Sequence, residues 1–250
     1  MTSKMTSNIC AIHNISDDIE LWGGKALGLS KLSHNGFLLP QTLVISSEIY
    51  KAYKDHVLDI HEFISTITDM INRYFPDPNT QLIFRSSGNI EGREQTVCCG
   101  IYESKVHHAE DSYFDTIRAV WDSTQSLTAQ KYYVLAGLSA DDVSMAVIVQ
   151  EIKKEKATAV IQTYDMINDT SGIILEYSFD AENSIVDGIF DAEVAYINRP
   201  EDVPTFMKPE LRMQLISDCK KAESIFGTHL EIEAQIGEDN IFYLQARTLV

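Results

Sequence analysis

The period of hydrophobic and polar positions changes several times along the chain, and those changes divide it into elements. Leu-Trp-Gly23-Gly24-Lys25-Ala-Leu-Gly-Leu-Ser-Lys-Leu reads as a glycine turn feeding a short helix. Ala26, Leu29 and Leu32 share one apolar face of it, and Asn35-Gly36 stops it. Pro40 precedes a strand over residues 42–45, after which Ser46 or Ser47 can cap a helix running to Tyr53. Residues 60–74 have the spacing of a second amphipathic helix, closed by Pro76 and Pro78. Leu82-Ile-Phe84 predicts a short strand that opens into a polar loop from Arg85 to Thr96 and on to Gly100-Ile-Tyr-Glu-Ser104. Residues 111–123 and 128–137 predict helices, with Phe114, Ile117, Val120 and Trp121 turned inward.

From Val143 the pattern shortens to strands. Val-Ser-Met-Ala-Val-Ile-Val-Gln150 is a near-continuous apolar strand, residues 153–156 read as a hairpin tip, and 157–163 as the returning strand. Segments 173–177, 185–188 and 194–197 add strands, and 208–226 is a helix with Leu211, Leu215, Cys219, Ala222 and Ile225 at helical spacing. The last element is a hairpin. Leu230, Ile232 and Ala234 alternate with Glu231, Glu233 and Gln235, and Phe242, Leu244 and Ala246 alternate with Tyr243, Gln245 and Arg247. The expected fold class is α+β: an α/β N-terminal lobe over 1–140 carrying phosphate-binding loops, then an antiparallel-rich lobe over 141–250. The charged loops and the hairpin would face a cleft between the lobes.

Composition sharpens this picture by exclusion. A chain of 250 residues, 44% hydrophobic and 23% charged, has the make-up of a soluble globular protein, with no apolar run of membrane-spanning length and no signal-like N-terminus. The expected compartment is the cytoplasm. Cys10, Cys98, Cys99 and Cys219 form no C-x-x-C and read as reduced thiols. A net charge of −17 argues against nucleic acid or an anionic membrane as partner, because both need dense positive charge at the contact. With only 20 Lys and Arg, the basic residues in glycine-containing or polar segments become informative: Lys25, Arg85, Arg93 and Arg247.

The terminal hairpin carries the sharpest chemistry. If its loop is the three residues Glu238 to Asn240, Glu233 faces Gln245 and Glu231 faces Arg247, all on one face. Two carboxylates, an amide oxygen and a guanidinium suit a magnesium-bound polyphosphate, since Mg²⁺ takes hard oxygen ligands and shares them with phosphate, while guanidinium forks onto phosphoryl oxygens. The competing reading is a solvated face with a surface Glu–Arg pair. Backbone amides after Gly23-Gly24, with Lys25 beside them, can likewise hold an anion, although the segment is not a Walker A loop. The Arg85-Ser-Ser segment after its strand has the cationic and hydroxyl groups of a phosphate cradle, or is a long surface loop.

Six segments in order resemble the nucleotide-binding domain of phosphoenolpyruvate synthase, pyruvate phosphate dikinase and rifampicin phosphotransferase, a family with an ATP-grasp fold. They are Gly23-Gly24-Lys25-Ala-Leu-Gly-Leu with Gly36 and Pro40; Arg85-Ser-Ser with Glu91; Gly100-Ile-Tyr-Glu-Ser104; Met145-Ala-Val-Ile-Val-Gln150; Ala159-Val-Ile-Gln-Thr163-Tyr-Asp165; and Glu231-Ile-Glu233 with Leu244-Gln-Ala-Arg247. The resemblance implies that Lys25 and Arg85 hold ATP phosphates, that Glu233 and Gln245 ligate Mg²⁺, and that Glu231 and Arg247 assist transfer together with Arg85. It also implies that the strand end Gln150-Glu151-Ile152 reads adenine and that Gly100 to Ser104 lies over the triphosphate. The acceptor would be a histidine on a carrier domain or protein supplied in trans, or a small molecule. The chain departs from the family pattern at Asp180-Ala-Glu182-Asn183, at Asp165-Met166 and at Arg247-Thr248. A direct kinase or ligase acting on a small metabolite, and an ATP-binding regulatory module without turnover, are the alternatives.

Overall fold

The computed structural model describes residues 5–91, 100–166, 168–179 and 192–249. The expectations placed on Arg93, Cys98, Cys99, residues 180–183 and strand 185–188 lie outside them. Two five-stranded sheets organise the rest, and every strand pair in them is antiparallel. By internal contacts the chain forms two units, one of residues 1–30 and 41–152, the other of residues 31–40 and 153–250.

The first unit holds the sheet ordered β1 (Ile9–Ala11), β2 (Thr42–Ile45), β5 (Met145–Glu151), β3 (Leu82–Gly88), β4 (Ser104–Val106). Its helices are α1 (Ile19–His34, broken by a non-helical Gly23 and ending in the second unit), α2 (Ser47–Lys54), α3 (Ile60–Tyr74), α4 (Tyr113–Asp122) and α5 (Leu127–Ala136). Asp59 caps α3 by accepting from the Glu62 amide, Ser112 and Ser126 cap α4 and α5 in the same way, and Gly137 closes α5 in the left-handed region. Phe63, Ile67 and Ile71 of α3 and Phe114, Ile117 and Trp121 of α4 share one core with Phe84, Val147 and Val149 of the sheet. Burial of these aromatic and branched side chains, worth about 1.5–3 kcal/mol each, is what fixes the helices to the sheet.

The second unit holds the sheet ordered β10 (Ile241–Thr248), β9 (Leu230–Ile236), β6 (Ala157–Gln162), β7 (Ile173–Ser178), β8 (Glu193–Ile197). Helix α6 (Pro209–Phe226) buries Leu211, Leu215, Cys219 and Ala222 in a core with Leu230, Ile232, Ala234 and Ile236 of β9. Burial pushes the Cys219 thiol well above its ordinary value and keeps it neutral.

Two expectations are corrected here. β5 does not form a hairpin with the strand that follows it. It is the central strand of the first sheet, hydrogen-bonded to β2 on one side and β3 on the other, while residues 157–162 begin the second sheet. The physical reason is its unbroken burial from Met145 to Gln150, since a strand apolar on both faces belongs inside a sheet. Arg85 also does not open a polar loop. Strand β3 continues through Arg85-Ser-Ser to Gly88 and is buried throughout.

Candidate functional site

In the first unit the site is built around a glycine turn stapled to a strand. Gly23 has φ +74°, and a Cβ placed on it would lie 2.1 Å from the carbonyl oxygen of Ser87. Only glycine permits that approach. The Ser87 hydroxyl completes the staple, donating to the Trp22 carbonyl at 2.8 Å and accepting from the Ala26 amide at 3.0 Å. The turn thereby delivers Lys25, whose Nζ donates to Glu91 Oε1 at 2.8 Å and to Ser86 Oγ at 3.1 Å. Glu91 is nearly buried and accepts with its second oxygen from the Gly88 amide at 2.9 Å. Lys25 is therefore a fixed point charge, held by a carboxylate from the segment that runs from Arg85-Ser-Ser to Glu91.

Arg85 lies on β3 opposite Ser104 of β4 and Ile148 of β5, and is 7% exposed. Its Nη1 is 3.5 Å from Gln150 Oε1, at the limit of a hydrogen bond, and Gln150 Nε2 donates to Thr42 Oγ1 at 3.2 Å. Gly100 has φ +67° and begins the return to β4. Lys25, Arg85, Gly100, Ser104 and Gln150 are thus all placed by one sheet and its connections. The amides of Glu151 and Ile152 donate to the Gln41 and Gln81 carbonyls, so neither is open to a base edge.

In the second unit the register of the sheet lays out a grid. On the face away from the α6 core, one row across β10, β9, β6 and β7 is Arg247, Glu231, Gln162, Ile174. The next row is Gln245, Glu233, Val160, Glu176, and the third is Phe242, Gln235, Thr158, Ser178. Arg247 Nη2 donates to Glu231 Oε1, with the two side chains 36% and 20% exposed. The pairings of Glu233 with Gln245 and Glu231 with Arg247 are those expected, but the route to them is not. The turn is the four residues Gly237 to Asn240, closed by the Ile236–Ile241 pair, and without correction it would send Gln245 to the core face. A bulge between Tyr243 and Gln245 takes up the extra residue, Leu244, and restores the alternation. The inward set on β10 before the bulge is accordingly Ile241 and Tyr243, not Phe242 and Leu244. Tyr243 is fully buried and donates its hydroxyl to Asp218 at 2.7 Å; burial, then that carboxylate, raise its pKa far beyond the ordinary phenol range.

Among the described residues no group of three or more His, Cys, Asp or Glu side chains could hold a metal ion by itself. Glu233 with Gln245 offers one carboxylate and one amide oxygen from adjacent strands, a donor set that magnesium accepts when phosphate and water complete its shell.

Solved structures similar to the chain include D-alanine–D-alanine ligase from Bacillus anthracis, at 11% identity over 90% of this chain and 56% of that one, with a TM-score of 0.46. They also include an ADP complex of N5-carboxyaminoimidazole ribonucleotide synthetase, at 10% identity over 90% and 44%, TM-score 0.46. D-alanyl-alanine synthetase A from Vibrio cholerae shares 10% identity over 90% and 54%, TM-score 0.41. The chain spans about half the length of these proteins. No curated protein matches it. The family model described as "Pyruvate phosphate dikinase, AMP/ATP-binding domain" matches residues 55–217, more than half of the chain. That match contains Arg85, Gly100 to Ser104 and Gln150, and stops short of Lys25 on one side and the terminal hairpin on the other. The chain belongs to the pyruvate phosphate dikinase AMP/ATP-binding domain family.

Proposed function

We propose that the chain is a Mg·ATP-dependent phosphotransferase module that passes a phosphoryl or pyrophosphoryl group to an acceptor, a histidine on another domain or protein. The single observation that carries this reading beyond nucleotide binding is the bulged hairpin, which sets Glu233 against Gln245 and Glu231 against Arg247 in adjacent rows of one face.

In this reading Lys25 and Arg85 hold phosphate oxygens, with Lys25 exchanging part of its contact with Glu91 for the ligand. Gly100 to Ser104 cover the phosphates, and the strand end at Gln150 to Ile152 meets the base through carbonyls and side chains, because the Glu151 and Ile152 amides are engaged. Glu233 and Gln245 hold magnesium, which when bound neutralises charge on the polyphosphate. Arg247 forks onto the transferring group, and Glu231 keeps the guanidinium aimed. Phosphoryl transfer asks a protein mainly for positioning and charge stabilisation, and this set supplies both without a covalent intermediate on the chain.

Product analysis tests the reading. ATP incubated with the protein, magnesium and histidine-carrier proteins should yield AMP together with either a pyrophosphorylated carrier or a phosphorylated carrier and one equivalent of inorganic phosphate. ADP as sole nucleotide product would indicate a direct kinase or ligase, and absence of turnover with intact binding would indicate a regulatory module.

A further inference from the structure

Two atoms on the polar face of the second sheet break the rule that buried polar groups find partners. Thr158 Oγ1 and Gln235 Oε1 are both buried and have no hydrogen-bond partner. They are not scattered: Thr158 stands directly opposite Gln235 in the β6–β9 register, between Phe242 and Ser178 in the third row of the grid. That row lies immediately beside the row of Glu233 and Gln245, two residues or about 7 Å along the strands. The residues themselves are 5% and 2% exposed.

We infer that Thr158 and Gln235 receive the vicinal hydroxyls of the nucleotide's ribose and so set a preference for ribonucleotides over deoxyribonucleotides. Gln235 Oε1 can only accept, so its partner must be a donor, whereas Thr158 Oγ1 both donates and accepts. A pair of adjacent hydroxyls meets both needs at once, each carrying one donor and two lone pairs. The spacing agrees, because one row from a metal-bridged phosphate is the reach to the sugar and falls short of the far edge of the base. The inference rests on the nucleotide-binding reading and adds to it the residues that choose the sugar.

The test measures dissociation constants of the full chain, with magnesium, for ATP, 2′-deoxy-ATP, 3′-deoxy-ATP and inosine triphosphate, in the wild type and in a Thr158→Val, Gln235→Leu double variant. The wild type should bind ATP roughly tenfold more tightly than at least one deoxy form, as loss of one hydrogen bond to a buried acceptor implies. The double variant should bind ATP and the deoxy forms alike, and should melt without nucleotide no lower than the wild type, since apolar groups then replace atoms that lacked partners. Equal wild-type affinity for ATP and both deoxy forms overturns the inference and leaves nucleotide binding standing. A loss confined to inosine triphosphate moves the contact to the base and overturns it as well. A double variant that melts well below the wild type assigns the pair a structural water instead. Failure of every nucleotide to bind overturns this inference and the proposed function together.

Discussion

A β-carbon on Gly23 would overlap the Ser87 backbone at 2.1 Å in a left-handed conformation, so the first Gly of the pair is a requirement of the fold before it is one of any ligand. We expect Gly23→Ala to lose about 3 kcal/mol or more of stability, read as a drop in the thermal midpoint of the purified protein, because strain and steric overlap add. A midpoint within a degree of wild type would show that the turn relaxes. Lys25 requires a subtler test, since Lys25→Met leaves the Glu91 carboxylate buried without its cation, a change that typically costs about 3–5 kcal/mol. Lys25→Met with Glu91→Gln should recover much of that loss while nucleotide affinity stays weakened. Were affinity to recover with stability, Lys25 would be structural. Lys25 and Glu91 both stood in motifs visible in the sequence, but their pairing joins positions 66 residues apart, which no local pattern reports.

Helix boundaries were the most legible elements. Amphipathic spacing and the closing prolines Pro76 and Pro78 predict a helix over 60–74, and the structure has Ile60–Tyr74, because the apolar stripe acts locally; the Asp59 cap at its start is a finding of the structure. Strand partnership was less legible, since β5 chooses its neighbours by burial on both faces and not by proximity to β6. The hairpin shows the same limit: alternation named its face correctly at Glu231, Glu233, Gln245 and Arg247, yet the bulge at Leu244 that makes this true leaves no mark in a period-two pattern. We expect deletion of Leu244 to give a regular hairpin in which Gln245 still faces Glu233, with magnesium-dependent nucleotide binding retained. Loss of that binding in a variant that still melts cooperatively would mean the bulge shapes the site itself. A second element-scale test concerns His107, packed against both Phe84 and Tyr113 with its ring nitrogen 2.9 Å from Thr116 Oγ1. Burial lowers its pKa, partly offset by Asp111 and Glu110 and reinforced by His108. The unfolded chain therefore binds the proton more readily, and stability should fall as pH drops through the ordinary imidazole range near 6.5. His107→Phe should make the thermal midpoint less sensitive to acidification between pH 7.5 and 5.5, and an unchanged slope would remove His107 from the acid response.

At the scale of the molecule, the chain combines two antiparallel sheets, each presenting one part of the proposed chemistry: cations on the first, carboxylates and a guanidinium on the second. No helix among the described residues is long and apolar enough to cross a membrane. The order of six motifs pointed to the family, and the family model confirms it over 55–217, while the orphaned pair Thr158 and Gln235 was invisible because lack of a partner is a property of packing. If the hairpin serves transfer and not binding alone, Glu233→Gln should cut turnover by on the order of a hundredfold, as removal of one preorganised electrostatic contact does. Arg247→Lys should also fail, since a point charge cannot reproduce the fork. The most direct test of the account is calorimetric titration of a non-hydrolysable ATP analogue into wild type and Glu233→Gln, each with magnesium and with EDTA. The account expects one nucleotide per chain, bound roughly tenfold more tightly with magnesium in the wild type, and equal affinities with and without magnesium in the variant. No binding at millimolar analogue, or a magnesium dependence that survives in Glu233→Gln, would contradict it.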